Sequence, residues 1–409
     1  MSSSDIAFNF YNFIEYSMLA GIVKLAAGAS RTMLVKEDGS VWGSGLNSFG
    51  QLGIDSSTFE SKSYEPAITN DVTDVAVGTE FSIVLKQDGS VWGTGKNSKG
   101  QLGDGSTKSR KSFSFVQIIP LGAKAVAVGS YHSMILTQNG RILTTGWNKR
   151  GQLGDGSTVD RTRFFEVISM GAMAVAAGDV HSVVLMRNGS VWAAGWNYNG
   201  QLGDGSNDGN SRFVQVMSSD AVGVAAGGYH TMVLKQDGSV WTTGWNQYGQ
   251  LGDGTTQDSF YYVQVVSSGA KIVAAGSRHS MVLKHDGSVW ATGYNRYGQL
   301  GDASVINRKI FAKVVIDSTK SVALGDFHSV ILKQDNSIWA AGSNQYGQFG
   351  DGSTMSRKIF GRVAHIGKGT QLNDLHTLID RHEFTIATVY LCLISCLLGY
   401  FDQGCLVNF

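Results

Sequence analysis

Proline is nearly absent from this 409-residue chain, which holds only 2. Cysteine is confined to Cys392, Cys396 and Cys405, all within the last 18 residues. A disulfide scaffold and cysteine-ligated zinc are therefore excluded from everything upstream. An excess of charge is missing too: 33 basic residues face 32 acidic ones, for a formal charge of +1. No Lys/Arg block of five or more occurs, so no global field draws in nucleic acid or anionic lipid. The N-terminus, MSSSDIAFNFYNFIEY, lacks a basic stretch, and a secretory signal is not expected from it. Disorder does not fit a chain that is 42% hydrophobic. Glycine alone is abundant. The 53 copies are about twice the usual share of roughly 7%, yet no Gly-X-Y period marks a collagen.

The glycines are ordered by a repeat. Gly-Gln-Leu-Gly begins at Gly50, Gly100, Gly151, Gly200, Gly249 and Gly298, and Gly-Gln-Phe-Gly begins at Gly347. The steps are 49 to 51 residues. Length alone suggests two or three domains, but seven evenly spaced copies describe one repeat architecture over about residues 22–366. Residues 1–21 form an N-terminal segment and 367–409 a tail.

Repeat five reads as four short strands: 222–226, 231–235, 239–243 and 261–266. Asp237-Gly238 joins the second to the third. Asp-Gly or Asn-Gly between apolar runs predicts a type I′ hairpin with φ > 0 at both central residues. The same turn recurs in the other repeats, with Asp335-Asn336 in the last. Four strands in about 50 residues predict a blade, and seven blades predict a closed all-β propeller. The first strands end in LAAG, VAVG, VAVG, VAAG, VAAG, VAAG and VALG. Such small residues suit seven strands crowding one axis. Trp42, Trp92, Trp192, Trp241, Trp290 and Trp339, with Leu143 in repeat three, suit the wider space between blades. Of the 53 glycines, 39 occupy six recurring turn positions, so this composition marks rigidity rather than flexibility.

Ala-Ala-Gly-x-x-His-Ser, Asp-Gly-Ser-Val-Trp and Gly-x-Asn-x-x-Gly-Gln-Leu-Gly together resemble the repeats of the regulator of chromosome condensation family. The resemblance covers all seven repeats and implies a seven-bladed propeller. It is less specific for function. Similar proteins include an exchange factor for a small nuclear GTPase, a plant ultraviolet photoreceptor, giant ubiquitin ligases and a β-lactamase inhibitor. This chain departs from three of them. No long insertion interrupts its repeats, and neither a basic N-terminal arm nor a ligase domain is expected of it. Gly-Gly-Tyr-His-Thr (227–231) and Gly-Ser-Arg-His-Ser (276–280) stand where the photoreceptor has Gly-Trp-Arg-His-Thr. Trp147, Trp196 and Trp245 belong to a different motif.

No catalytic residues, cofactor or metal are expected. His132, His181, His230, His279 and His328 sit one per blade, too far apart to converge on a metal. They read as structural groups, with Arg31 and Phe81 in their place in repeats one and two. The Asp of Gly-Asp-Gly (Asp104, Asp155, Asp204, Asp253, Asp351, and Asp302 of Gly-Asp-Ala) reads as an Asx-type turn. The Asn of Gly-x-Asn receives the same reading. The candidate partner surface is a broken basic ring. Arg110, Arg161, Arg308 and Arg357 share one aligned loop position, and Lys111, Lys309 and Lys358 follow three of them. Tyr248, Tyr297 and Tyr346 lie in the neighbouring loops.

The expected function is a monomeric protein-interaction module in the cytoplasm or nucleus. Exchange on a small GTPase is the first alternative and a membrane-tethered adaptor the second. The last rests on residues 384–401, an uncharged run whose helix would span about 27 Å. That run equally suits an element packed on the propeller or an extension from gene-model error. Ring closure by residues 13–18 or by 359–366 stays open.

Overall fold

A computed structural model describes residues 21–54, 58–111 and 122–363. Seven antiparallel sheets follow one another along the chain, each a meander in sequence order. In blade 5 the strands are Ala221–Ala226, His230–Lys235, Val240–Gly244 and Ser259–Val266. Blades 1 to 7 run over residues 22–68, 72–95, 123–168, 172–217, 221–266, 270–315 and 319–362. Blade 2 shows three strands, because residues 112–121 lie outside the described ones. The first strands contact one another in sequence around the axis, and Ile22–Ala27 of blade 1 meets Thr319–Leu324 of blade 7. The ring is therefore closed.

Closure uses whole blades. Arg357–Arg362 is the fourth strand of blade 7, so the C-terminal candidate segment completes that sheet. Residues 13–18 lie outside the described residues. The hydrophobic core is divided among the seams. Seven buried clusters form, each filled by two neighbouring blades, and Ile22, Leu25 and Leu34 interlock with Val330, Leu332 and Phe349 across the closing one.

The Asp-Gly hairpins differ from the expected type. Only the glycine has positive φ, as at Gly39 (75°) and Gly238 (76°). The Gly39 N–H donates to the Lys36 carbonyl, and Lys36 N–H to the Ser40 carbonyl. Three residues thus make a type I turn closed by a left-handed glycine, the next most common hairpin after the two-residue kind. The aspartate stays right-handed because its carboxylate has another duty: Asp38 accepts the Ser40 N–H at 2.8 Å. Ser40 Oγ in turn accepts the Trp42 indole N–H at 3.0 Å. The same bonds fix Trp92, Trp192, Trp241, Trp290 and Trp339. The motif Asp-Gly-Ser-Val-Trp is one hydrogen-bonded unit.

The glycine ending each first strand explains the tight axis. A Cβ on Gly178 would strike the carbonyl of Gly227, one on Gly227 that of Gly276, and so on around all seven to Gly325 against Gly28. Only a backbone without side chains passes there.

Candidate functional site

Antiparallel order places the turn between first and second strands, and the long loop between third and fourth, at one end of each blade whose four strands are described. That end holds the mouth of the central channel. Ala29, Thr79, Ser130, Asp179, Gly228, Ser277 and Asp326 line it, one from each blade, directly after the seven ring glycines.

The recurrent histidines lie beneath this face as interblade latches. His132 Nε2 is 2.9 Å from Ser182 Oγ of the next blade. Ser182 Oγ donates its one proton to the Gln152 carbonyl at 2.7 Å. The hydroxyl therefore accepts from the histidine, which carries its proton on Nε2. His181, His230, His279 and His328 repeat the pair with Thr231, Ser280, Ser329 and Thr32. Burial lowers all five, to about 4 at His132 and His230 and about 3 at His181, His279 and His328. Their Nδ1 atoms have no partner, so a second proton would be buried without an acceptor. Arg31 spans the first seam instead, donating to the Thr79 and Phe81 carbonyls. Burial lowers it to about 9.

The basic loops are stapled rather than free. Arg110, Arg161 and Arg308 each place a guanidinium nitrogen 2.5 Å from Asp104, Asp155 and Asp302 of their own loop, and Arg357 pairs with Asp351. The aspartate side chains are 0–5% exposed and the arginines 30–40%. Burial by itself would raise the Asp104, Asp155 and Asp302 carboxyls, but arginine, serine and asparagine donors together hold them below the usual range. The recurring Asn completes each staple. Asn97 donates to Asp104 and accepts from the Leu102 N–H of Gly-Gln-Leu-Gly. The aspartates thus take an Asx turn, as at Ser106 N–H, and an arginine as well. Lys111, Lys309 and Lys358 are exposed beside them.

Two of the three tyrosines enter a feature that no single motif announces. Trp245, Tyr248, Tyr294, Tyr297 and Phe327 touch ring to ring across blades 5, 6 and 7, with centroids 4.7–6.3 Å apart. The Arg278 guanidinium lies 5.7–5.9 Å from Trp245, Tyr248, Tyr294 and Phe327. The arc continues backward through Tyr229 on Trp245, Tyr198 on Trp196, and Tyr131 on Trp147. Arg150 covers Trp196 at 3.9 Å and Lys96 covers Phe49 at 4.8 Å. Tyr346 is half-buried and has no ring partner among the described residues.

The family model of the RCC1-like domain matches residues 11–271 and 124–383. The chain belongs to the RCC1-like domain family. Solved structures agree on the fold. Human WBSCR16 superposes with a TM-score of 0.72 at 22% identity, over 80% of this chain and 93% of that one. Yeast RCC1 (Prp20), solved bound to Kap60, gives 0.70 at 19% identity, over 86% and 87%. Prp20p from Saccharomyces cerevisiae, solved in work on its binding to Gsp1p and histones, gives 0.69 at 20%, over 86% and 89%. Among the described residues no group of three or more His, Cys, Asp or Glu is placed to hold a metal ion. No helix among them is long and apolar enough to cross a membrane, and residues 384–401 lie outside them.

Proposed function

We propose that this chain is a non-catalytic protein-interaction propeller that receives a partner protein on its channel-mouth face. The aromatic arc with Arg278 at its centre carries the reading. Tyrosine, tryptophan and arginine dominate binding energy at protein interfaces, and here packed rings hold them on loops over a rigid scaffold. Tyr346, Lys111, Lys309 and Lys358 form the rim. Arg110, Arg161, Arg308 and Arg357, stapled to their aspartates yet 30–40% exposed, shape the loops and present charge on them, and the lysines beside them add more. Prp20, which shares the fold, has proteins as its partners, and that supports the same class here.

The test is quantitative capture of partners by the full chain. Arg278→Ala with Tyr297→Ala should lower recovery at least tenfold. Charge reversal at Lys111, Lys309 and Lys358 should lower it less and steepen the salt dependence. Equal recovery by all three proteins would remove the surface. A second reading, exchange on a small GTPase, is favoured by the likeness to Prp20. A nucleotide-release assay over a panel of small GTPases decides it, and no acceleration by any amount of chain rejects it.

A further inference from the structure

We infer that the channel mouth is a receptor for one basic side chain, an ammonium or guanidinium group presented by the partner protein. This rests on the interaction reading above and specifies its chemistry. The mouth carries two carboxylates, Asp179 and Asp326, and no cation in its ring of seven residues. Neither forms an ion pair with a described residue. Asp179 is half-satisfied: Thr79 donates to Ser130 at 2.9 Å, and Ser130 donates to Asp179 Oδ1 at 2.6 Å. Asp326 receives no hydrogen bond from any described side chain, and this half-buried residue lines the mouth. Burial of that kind is costly for an unpaired carboxylate. It pushes Asp326 up to about 7, with Asp179 adding to the shift and Arg278 and Arg31 opposing it. Asp179 is also raised, by burial, against Ser130 and Arg278.

A cation arriving between the two acids relieves both. A metal ion fits less well, since a hard cation takes six to eight oxygens and the mouth offers only two acids. Besides the two acids, the walls are mostly glycine and alanine, with Thr79, Ser130, Ser277, Val77, Val128 and Leu324, and they leave room for a narrow alkyl stem. Arg278 acts on both acids from among the aromatic rings but forms an ion pair with neither. Those rings form an arc over blades 5 to 7 and would seat the rest of the partner.

The probe is a capped Gly-Lys-Gly peptide added to the isotope-labelled full chain, with amide signals of Gly228 and Gly325 followed by NMR. Saturable shifts are expected, at least tenfold weaker when norleucine replaces the lysine, and at least tenfold weaker in Asp179→Asn with Asp326→Asn. Asparagine is isosteric, and an unchanged remaining spectrum reports folding. If the double variant does not fold, Asp326→Asn alone carries the test. Thr79→Val keeps both charges and should weaken binding only about twofold to fivefold. Equal shifts from the norleucine peptide, unchanged binding by the folded Asn variant, or saturation of the same amides by submillimolar calcium chloride would each overturn the assignment. Arg278→Ala with Tyr297→Ala removes a cation that acts on both acids and should leave the peptide shifts at least as strong, so failure of the partner surface and failure of the mouth are separable.

Discussion

Two seams of the ring differ from the other five. Between blades 3 and 4, and onward through blades 7 and 1, a neutral histidine reaches a hydroxyl of the next blade. Between blades 1 and 2 a fully buried arginine makes the connection. Between blades 2 and 3, Phe81 packs with Ile83, Val126 and Ile135 and makes no polar bond from its ring. The hydroxyl-to-glutamine bond persists at every seam, including Ser82 to Gln51 and Ser133 to Gln101. The glycine contacts persist as well. Backbone approach thus sets the ring, while the latch residue is interchangeable among imidazole, guanidinium and phenyl. What the latch alters is how each seam responds to acid.

The largest way to break the comparison is pH. Each histidine is lower in the folded chain than its ordinary value near 6.5, so the unfolded chain binds more protons below that point. Stability is complete above about pH 6.5 and is lost as pH falls toward 4, on the order of 1–2 kcal/mol per histidine by pH 5. Denaturant titrations across that range should show it, the two raised mouth acids working weakly in the opposite direction. Arg31→Ala should be the most damaging single change, about 3–5 kcal/mol, because it empties the first seam and strands two carbonyls. His230→Phe, which copies the second seam, should lose less than His230→Ala, and chemical unfolding ranks them. Phe81→His faces Ser133 and sharpens the comparison. It should change stability by under about 1.5 kcal/mol at pH 8 but steepen the acid loss. The smallest effect is at the mouth. Asp326 is raised in the fold, so its charging opposes folding above about pH 4. Asp326→Asn should gain on the order of 1 kcal/mol at pH 8 and nothing at pH 4.

Much of this ring was legible because it is periodic. The seven blades, the strand positions in repeat five and the structural character of the histidines follow from one aligned repeat. The hairpin type differs from the expected one because Asp-Gly also closes a three-residue loop, in which the aspartate caps Ser40. The staples are invisible in either residue alone, since Asp104 and Arg110 recur at separate positions of the repeat. Their six-residue spacing, with Asn210 and Ser259 where the arginine is lacking, is the signal that joins them. The aromatic arc is harder. Tyr229 and Phe327 precede the third strand's loop by a whole hairpin, and Trp245 and Tyr294 belong to another motif. Only the curvature of the ring brings them together. Asp179 and Asp326 occupy the variable position of Ala-Ala-Gly-x-x-His, where nothing in one repeat predicts its opposite number.

The seam between blades 7 and 1 has the same parts as its neighbours. The Gly352 N–H donates to the Lys62 carbonyl, Asp351 bridges Ser63, and Tyr64 covers Gly350. Among the described residues no sheet is shared between distant parts of the chain. Topologically the propeller is a necklace whose clasp is indistinguishable from its links. New termini cut into the connection at residues 218–220, with 21 and 363 joined by a linker, should yield a permuted protein that unfolds as cooperatively as the original.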